Sequence, residues 1–207
     1  MPTSRVTVLL VEDDELVATT QSASLRRLGA VSEHASDLKA ARERLRSQLW
    51  DGAILDVGLP DGCGLELLKE LRLHQPTTPV LVQSALPDRK LPNDAFKLDA
   101  HFVYKPFGRD ELRTFLERLR RRRRERQQRF GRVLARLEHA HDVTAAEREV
   151  FAEALQGKSY REMAEQRGTS MNTIKSQVRS LLQKTGTRSL PQLMSIVVAE
   201  ILDEQGP

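Results

Sequence analysis

The sequence predicts a doubly wound α/β domain with a five-stranded parallel sheet, followed by an all-α helical domain. In the first half, short apolar runs alternate with segments of helical periodicity, and strands that alternate with helices form parallel sheets. In the last third, helical patterns follow one another without a strand pattern between them. The 207 residues, of which 39% are hydrophobic and 30% charged, have an ordinary globular composition and suffice for two such domains.

The apolar runs of the first half are too short for helices and rich in Val, Ile or aromatic residues. They predict strands at residues 6–11, 53–55, 80–82 and 102–104, with a weaker one at 30–34. Helical patterns lie between them, at residues 16–28, 37–49, 65–73 and 95–98. Gly29 is expected to close the first of these helices and Ser36 to open the second. The ligand site of such a sheet lies beyond the carboxyl ends of its strands.

Polar side chains occur at these strand ends. Glu12 and Asp13 follow the first strand, Asp56 ends the third, Ser84 follows the fourth and Lys105 the fifth. Carboxylates bind Mg²⁺, a hard cation that prefers oxygen ligands, and the ion together with Lys105 would neutralise a phosphoryl group. Asp56 is then placed to act as a nucleophile that forms an acyl phosphate, and Ser84 to donate a hydrogen bond to a phosphoryl oxygen.

The segments LLVEDD, ILDVGLPDGCG, VQSA and VYKPF resemble the motifs of bacterial response-regulator receiver domains, which have a flavodoxin-like fold, over residues 5–120. The resemblance implies a role for each residue of the cluster and adds one aromatic residue. By it, Asp56 is the phosphoacceptor, Glu12 and Asp13 complete its metal pocket, Lys105 contacts the phosphate, Ser84 is the switch hydroxyl and Phe102 the switch aromatic residue.

The same resemblance leads to two further expectations. The Lys105–Pro106 bond should be cis, as it often is in the family. Residues 86–100 depart from the family pattern, because Asp99 and Ala100 replace a Gly-Ala pair and the preceding helix contains Pro87 and Pro92. We therefore expect a short or displaced fourth helix.

Positive charge is concentrated in the second half of the chain. Residues 1–109 contain 14 Lys and Arg against 15 Asp and Glu, whereas residues 110–207 contain 19 against 14. This asymmetry favours a module that binds polyanions, with chance as the alternative. Five consecutive arginines, at 120–124, follow a helical pattern at 110–119, so we expect one long helix or two helices broken near Gly131. The run is predicted to form a solvated helix face, with contacts to DNA phosphates as the alternative.

The last third contains a helix-turn-helix pattern. Thr144 and Glu147 form a capping box for a helix at 145–155, and helices at 160–166 and 172–184 flank a turn at Gly168. In the second of these two helices, apolar positions form one stripe, comprising Ile174, Val178, Leu181 and Leu182. The polar faces carry side chains that suit phosphates and base edges, namely Asn172, Thr173, Lys175, Ser176, Arg179 and Gln183.

Residues 140–202 resemble the LuxR (NarL/FixJ) type helix-turn-helix domain. The residues at motif positions are Glu147, Gly157, Met163, Ala164, Thr173, Lys175 and Lys184, while Gln177 stands where the family usually has His. The resemblance implies that Lys175, Ser176 and Arg179 face the DNA groove and that a final helix at 189–202 packs in or forms a dimer face. The segment is also similar to region 4 of sigma factors, but a free-standing sigma factor would lack the receiver.

Together these features predict a DNA-binding transcriptional response regulator of a two-component system, and not an enzyme. A sensor histidine kinase would phosphorylate Asp56 with Mg²⁺, and a homodimer would bind promoter DNA. The expected domains are a receiver at 1–120, an Arg-rich helical linker at 121–139 and the DNA-binding domain at 140–207. No apolar run approaches the ~20 residues of a membrane span, the start MPTSR lacks the apolar part of a signal peptide, and Cys63 is the single cysteine. We therefore expect a cytoplasmic protein with no membrane partner.

Three alternatives remain at this point. A phosphatase of the haloacid dehalogenase type also uses an aspartyl nucleophile with Mg²⁺, but it requires Asp-x-Asp where this chain has Glu12-Asp13-Asp14. A receiver that acts by protein contact alone would use the helical domain for docking, which exposed Lys175 and Arg179 argue against. The third alternative is DNA binding that does not depend on phosphorylation.

Overall fold

The computed structural model describes residues 5–203 of the chain. They form two compact units, the first ending at Arg123 and the second beginning at Arg124. The two units are described separately below.

The first unit is built on a five-stranded parallel sheet. In chain order the strands of the unit are β1 (Val6–Val11), β2 (Ala30–Ala35), β3 (Gly52–Asp56), β4 (Gly58–Leu59), β5 (Gly62–Cys63), β6 (Val80–Ser84) and β7 (His101–Tyr104). The sheet has the order β2-β1-β3-β6-β7, and β4 pairs with β5 in a small antiparallel hairpin beside it. The order reverses between β1 and β3, which is where ligands bind in doubly wound sheets.

Helices cover both faces of this sheet. They are α1 (Glu15–Arg27), α2 (Leu38–Ser47), α3 (Gly64–His74), α4 (Lys90–Lys97) and the first part of α5 (Arg109–His141). Leucines of α2, α3 and α4 pack on one face of the strands, while α1 and α5 pack on the other. Trp50, just before β3, is buried on the first of these faces and donates its indole N–H to the carbonyl of Arg44. The predicted three-layer α/β fold is confirmed.

Two predictions about helix ends need correction. The helix α2 is capped by Asp37, whose carboxylate accepts from the backbone N–H of Ala40, and not by Ser36. The helix α4 begins at Lys90 rather than Ala95, and it contains Pro92 in its first turn. Proline is tolerated there because first-turn N–H groups have no partner within the helix. With eight residues α4 is short, as expected, and the Lys105–Pro106 bond is cis.

The arginine-rich segment lies within α5, which runs without a break past Gly131 to His141. Three of its arginines donate hydrogen bonds to backbone carbonyls of the first unit: Arg120 to Leu28, Arg122 to Thr77 and Arg123 to Arg5. Arg123 also forms a salt bridge with Asp51, with Nη1 2.8 Å from Oδ2. The prediction of a solvated face is therefore wrong for Arg120 and Arg123, which are half-buried, whereas Arg122 is exposed as predicted. All three side chains attach α5 to loops of the first unit.

The second unit is entirely helical over its described residues. It contains the last part of α5, then α6 (Ala145–Leu155), α7 (Tyr160–Gln166), α8 (Met171–Thr185) and α9 (Leu190–Asp203). Its core includes Val133 and Leu134 of α5, which pack in one cluster with Phe151, Leu181 and Val197. Among the helices of residues 5–203, none combines the length and the apolar character that a bilayer span requires.

Candidate functional site

Three carboxylates meet at the carboxyl edge of the sheet. Glu12 and Asp13 follow β1, and Asp56 ends β3, the neighbouring strand. One carboxylate oxygen from each lies within 4.8 Å of the others. Glu12 is 1% exposed and Asp56 6%, whereas Asp13 is exposed to solvent. Three oxygen donors at this spacing, open on one side, suit a hard cation such as Mg²⁺ that keeps some of its waters.

Lys105, which follows β7, extends into the same cluster. Its Nζ lies 2.6 Å from Oε2 of Glu12 and 2.8 Å from Oδ2 of Asp56. One ammonium group therefore bridges two buried carboxylates that would otherwise repel each other. The predicted lysine is thus placed beside the predicted nucleophile.

The pKa values of the cluster reflect its burial and its charges. Burial raises the pKa of Glu12, and the charge of Asp56 adds to this effect, while hydrogen bonds from Lys105 and the backbone of Asp14 oppose it. Burial by itself would lower the pKa of Lys105, but its hydrogen bonds to Asp56 and Glu12 outweigh burial, so that this pKa is raised. Lys105 is therefore a fixed positive charge at neutral pH.

Ser84 and Phe102 lie on the two strands that complete this edge. Ser84 ends β6, is 1% exposed, and its Oγ accepts a hydrogen bond from the backbone N–H of Leu86 at 3.0 Å. Phe102 is half-buried on β7 and contacts Tyr104 edge-on, with ring centroids 4.9 Å apart. Ser84 is paired with Tyr104 in the sheet register. The structure places both predicted switch residues on neighbouring strands.

The loop after Asp56 is held tightly. A Cβ atom added to Gly64 would lie 1.9 Å from the backbone oxygen of Asp56, so only glycine fits there. Asp61 accepts hydrogen bonds from the backbone N–H groups of Leu38 and Lys39 at the start of α2. These contacts fix the backbone that carries the acidic side chain of Asp56.

Three further residues, which no sequence motif indicated, also contact Glu12 directly or through one another. The side-chain Nε2 of Gln83, on β6, donates to Oε2 of Glu12 at 2.7 Å, and Nε2 of Gln21, on α1, donates to Oε1 of Gln83 at 2.8 Å. His34 on β2 places Nε2 2.7 Å from the backbone oxygen of Glu12. A signal was present in the sequence, since Gln83 is an amide that directly follows the apolar residues 80–82 in the buried strand β6.

The helix-turn-helix of the second unit has the predicted form. Ser159 caps α7 and Ser170 caps α8, and Gly168 in the turn between them adopts a φ of +59°, in the left-handed region. Ile174, Val178 and Leu181 are buried. The candidate DNA-contacting residues are all exposed, namely Asn172, Thr173, Lys175, Ser176 and Arg179. Helix α8 therefore presents a polar face that includes two cations.

Glu147 anchors this unit. It is buried, closes the capping box of α6 with Thr144, and accepts from Nζ of Lys184 at 2.8 Å. The other Lys184 hydrogen bond goes to the backbone oxygen of Asp142. Glu147 and Lys184, both at predicted motif positions, thus join α6 to α8.

Residues 8–117, more than half of the chain, match the family model described as "Response regulator receiver domain". The chain belongs to the response regulator receiver family. In this response regulator, residues 141–197 match a second family, "Bacterial regulatory proteins, luxR family". Both descriptions are of regulatory families, the first of a receiver domain and the second of bacterial regulatory proteins.

Curated relatives of the response regulator carry similar descriptions. It is 36% identical to response regulator protein PmrA of Pseudomonas aeruginosa, over 64% of this chain and 58% of the relative. It is 32% identical to transcriptional regulatory protein QseB of Haemophilus influenzae, over 56% of this chain and 53% of the relative. The response regulator therefore spans little more than half the length of these relatives.

Solved structures show the same folds. The receiver domain of Francisella response regulator 1452 matches with a TM-score of 0.53 and 28% identity, over 57% of this chain and 98% of that one. Full-length FixJ of B. japonicum matches with a TM-score of 0.54 and 24% identity, over 96% of this chain and 98% of that one. At that identity the second likeness concerns the fold alone, and it extends over both units of the response regulator.

Proposed function

We propose that the protein is a transcriptional response regulator of a two-component system in which a sensor histidine kinase phosphorylates Asp56 and phosphorylation controls binding to promoter DNA. The observation that supports it best is the bridge from Lys105 to Glu12 and Asp56, because it joins a buried nucleophile, an acidic cluster and a cation at one sheet edge. The luxR-type match of residues 141–197 supports the DNA-binding half of the proposal.

In the proposed reaction, a carboxylate oxygen of Asp56 attacks the phosphorus of a phosphohistidine on the kinase. A P–O bond to Asp56 forms as the P–N bond breaks, and the histidine leaves. Glu12, Asp13 and Asp56 would hold Mg²⁺, which supplies positive charge against the phosphoryl oxygens. Lys105 would exchange its contact with Asp56 for a phosphoryl oxygen, and Ser84 would donate its hydroxyl to another. Phe102 would follow Ser84 as the sheet edge rearranges.

The proposed DNA interface is α8. Lys175 and Arg179 would contact phosphates or guanine edges, and Asn172, Thr173 and Ser176 would contact backbone or bases. A homodimer, which would place two copies of α8 on a repeated site, is part of the proposal. We further propose a receiver domain at residues 1–120, an Arg-rich helical linker at 121–139, a DNA-binding domain at 140–207 and a cytoplasmic location, where bacterial promoters are.

The first experiment compares DNA binding with and without a phosphoryl mimic. Genomic fragments are captured by the purified protein in Mg²⁺ alone and in Mg²⁺ with beryllium fluoride, and Asp56→Asn serves as the variant that cannot bind the mimic. The expected result is a set of fragments that only the mimic enriches, with no enrichment by Asp56→Asn. Equal enrichment of the same fragments in both conditions would instead support DNA binding without phosphorylation control.

A second experiment tests whether α8 contacts DNA. Lys175→Ala combined with Arg179→Ala is expected to weaken binding to the captured fragments and to reduce its salt dependence, by about one counterion for each phosphate that the variant no longer neutralises. Arg161→Ala is the matched control, because Arg161 is an exposed arginine of α7 paired with Glu165. No captured fragments in either condition would favour the alternative in which the second unit docks on a protein. Unchanged binding of captured fragments by the double variant would show that Lys175 and Arg179 do not supply the DNA contacts.

A further inference from the structure

A chain of hydrogen bonds leads from α1 to the acidic cluster. Gln21 donates to Gln83 at 2.8 Å, and Gln83 donates to Oε2 of Glu12 at 2.7 Å and, at a longer 3.4 Å, back to Oε1 of Gln21. Gln83 is 0% exposed and Gln21 8%. Burying an amide costs free energy unless its donors and its acceptor form hydrogen bonds. The hydrogen bonds between Gln21, Gln83 and Glu12 are therefore needed to offset the burial of these amides.

The direction of the chain is determined by Glu12. An ionised carboxylate only accepts hydrogen bonds, so the amide of Gln83 must present Nε2 to Glu12 and Oε1 to Gln21. Gln21 then satisfies that oxygen with its own Nε2. Gln83 is therefore fixed at both ends, and its two partners determine the orientation of its amide.

Gln83 differs from Lys105, which also donates to Glu12 from its side chain. Both donate to Oε2, Lys105 from the loop after β7 and Gln83 from β6. Lys105 is the group expected to turn towards a phosphoryl oxygen, whereas Gln83 is buried within the sheet and has no other role in the proposed reaction. Gln83 is also directly paired with Asp56 in the strand register. Gln83 is therefore the donor that can hold Glu12 in place throughout the proposed phosphorylation reaction.

We propose that Gln83, oriented by Gln21, is a positioning residue that holds Glu12 for Mg²⁺. The inference rests on the proposed function, since it assumes that the acidic cluster binds this ion. Carboxylates that bind metals are themselves held by hydrogen bonds, and loss of such an outer partner typically costs 10–100-fold in metal affinity or activity. Neither Gln83 nor Gln21 contacts the phosphoryl group or the ion in this proposal.

The test measures Mg²⁺ affinity of the full chain by NMR titration. Gln83→Met keeps the length and volume of the side chain and removes the amide. We expect the dissociation constant for Mg²⁺ to rise by about 10-fold or more, with phosphorylation by a small phosphodonor recovering at saturating Mg²⁺. The side-chain amide signal of Gln83 in the unmodified protein should shift on addition of Mg²⁺.

Gln75→Met is the matched control. Gln75 is also buried, and it accepts from the backbone N–H of Trp50 and donates to the backbone oxygen of Gln48, at the other end of β3 from Asp56. Its replacement removes hydrogen bonds of the same kind but should leave Mg²⁺ affinity unchanged. If Gln83→Met does not fold, Gln21→Leu with Gln83→Met removes both polar partners together and is expected to show the same loss of affinity.

Each remaining outcome overturns a stated claim. Equal Mg²⁺ affinity in the unmodified protein and in Gln83→Met, or in the double variant when it is used, would overturn the inference and leave the proposed function intact. Equal weakening by Gln83→Met and Gln75→Met would also overturn it, since general destabilisation would then explain both. If Mg²⁺ fails to shift the signals of Asp13 and Asp56 in the unmodified protein, the proposed function fails, and the inference fails with it.

Discussion

Glu147 is a single buried carboxylate whose charge depends on its hydrogen bonds. Burial alone would raise its pKa, but hydrogen bonds from Lys184, Ser180 and Thr144 outweigh burial and lower the pKa from 4.5 to about 2. A carboxyl group with a lowered folded-state pKa stabilises the fold when ionised. Its contribution is complete above the unfolded-state pKa and is lost as the pH falls towards the folded-state value.

The first prediction follows from the lowered pKa of Glu147. Glu147→Gln should lower the free energy of unfolding of the second unit by about 2 to 3 kcal/mol at neutral pH, and the difference from the unmodified protein should shrink as the pH falls from about 4.5 towards 2. Urea unfolding followed by helical circular dichroism, repeated across this range, measures it. Glu165→Gln, at an exposed ion pair, should change stability little at any pH. A constant difference for Glu147→Gln would contradict the assigned pKa.

The second prediction concerns the backbone of Asp56, the proposed phosphoacceptor. Gly64→Ala places a methyl group 1.9 Å from the Asp56 oxygen, so the chain must shift, and the first unit should lose about 1 to 3 kcal/mol. Gly58→Ala is the control, because a Cβ there meets nothing within 4 Å and should change stability by about 0.5 kcal/mol at most. The midpoint temperatures of thermal unfolding of the two variants are compared. Equal midpoints would show that the backbone at Gly64 can shift at little cost in free energy.

At the scale of elements, α5 is held to the first unit by its own arginines. Arg123 and Asp51 are 20% and 10% exposed in their salt bridge, and Asp51 also accepts from the backbone N–H of Thr7 at 3.0 Å. This network joins the helix to β1 and to the turn before β3. The arginine run, which the sequence suggested was solvated, is thus partly an attachment for a helix.

The third prediction tests that attachment. Arg123→Gln should destabilise the first unit by about 1 to 3 kcal/mol, because it leaves a mostly buried carboxylate with fewer donors. Arg124→Gln, one residue further along an exposed part of the helix, is expected to have little effect. The intrinsic fluorescence of Trp50 during thermal unfolding provides the measurement. Identical midpoints for the two variants would mean that the salt bridge contributes nothing.

Elements were predictable from sequence where one local signal dominated. All five sheet strands lie within two residues of the predicted bounds. The central strands β1, β3 and β6 are mostly buried apolar runs, whereas the edge strands β2 and β7 are more polar and more exposed. The β4–β5 hairpin was missed since two-residue strands have no periodicity, and the start of α4 was missed since Pro92 resembles a breaker but lies in a first turn. The strand-end residues Asp56 and Lys105 could be placed together by topology. The Gln21–Gln83 pair could not, because it joins a helix and a strand 62 residues apart.

At the scale of the whole molecule, α5 contributes to two separate cores. Leu112, Phe115 and Leu116 are buried in the first unit, and Val133 and Leu134 in the second. The luxR-type match begins only at residue 141, yet the core of the second unit includes these earlier side chains. The folding unit that contains the helix-turn-helix is therefore longer than its sequence motif.

The fourth prediction compares three fragments of the second unit. A fragment from residue 140 lacks Val133 and Leu134 and should be less stable than one from residue 124 by about 3 kcal/mol or more, at about 1.5 to 3 kcal/mol for each buried side chain. A fragment from residue 128 loses only exposed residues and should match the longest one. Urea unfolding measures all three, and a stable fragment from residue 140 would show that α5 is dispensable for this core.

The position of Trp50 determines which unit's unfolding is reported by the intrinsic fluorescence of the protein. It is the chain's single tryptophan, it is buried in the first unit, and its indole N–H is bonded. Emission from this ring thus follows the melting of the α/β unit and carries no signal from the helical one. Ellipticity, which sums over helices of both, would give a second transition wherever the units melt at different temperatures. Recording both signals from one sample assigns each melting step to its unit without any labelling.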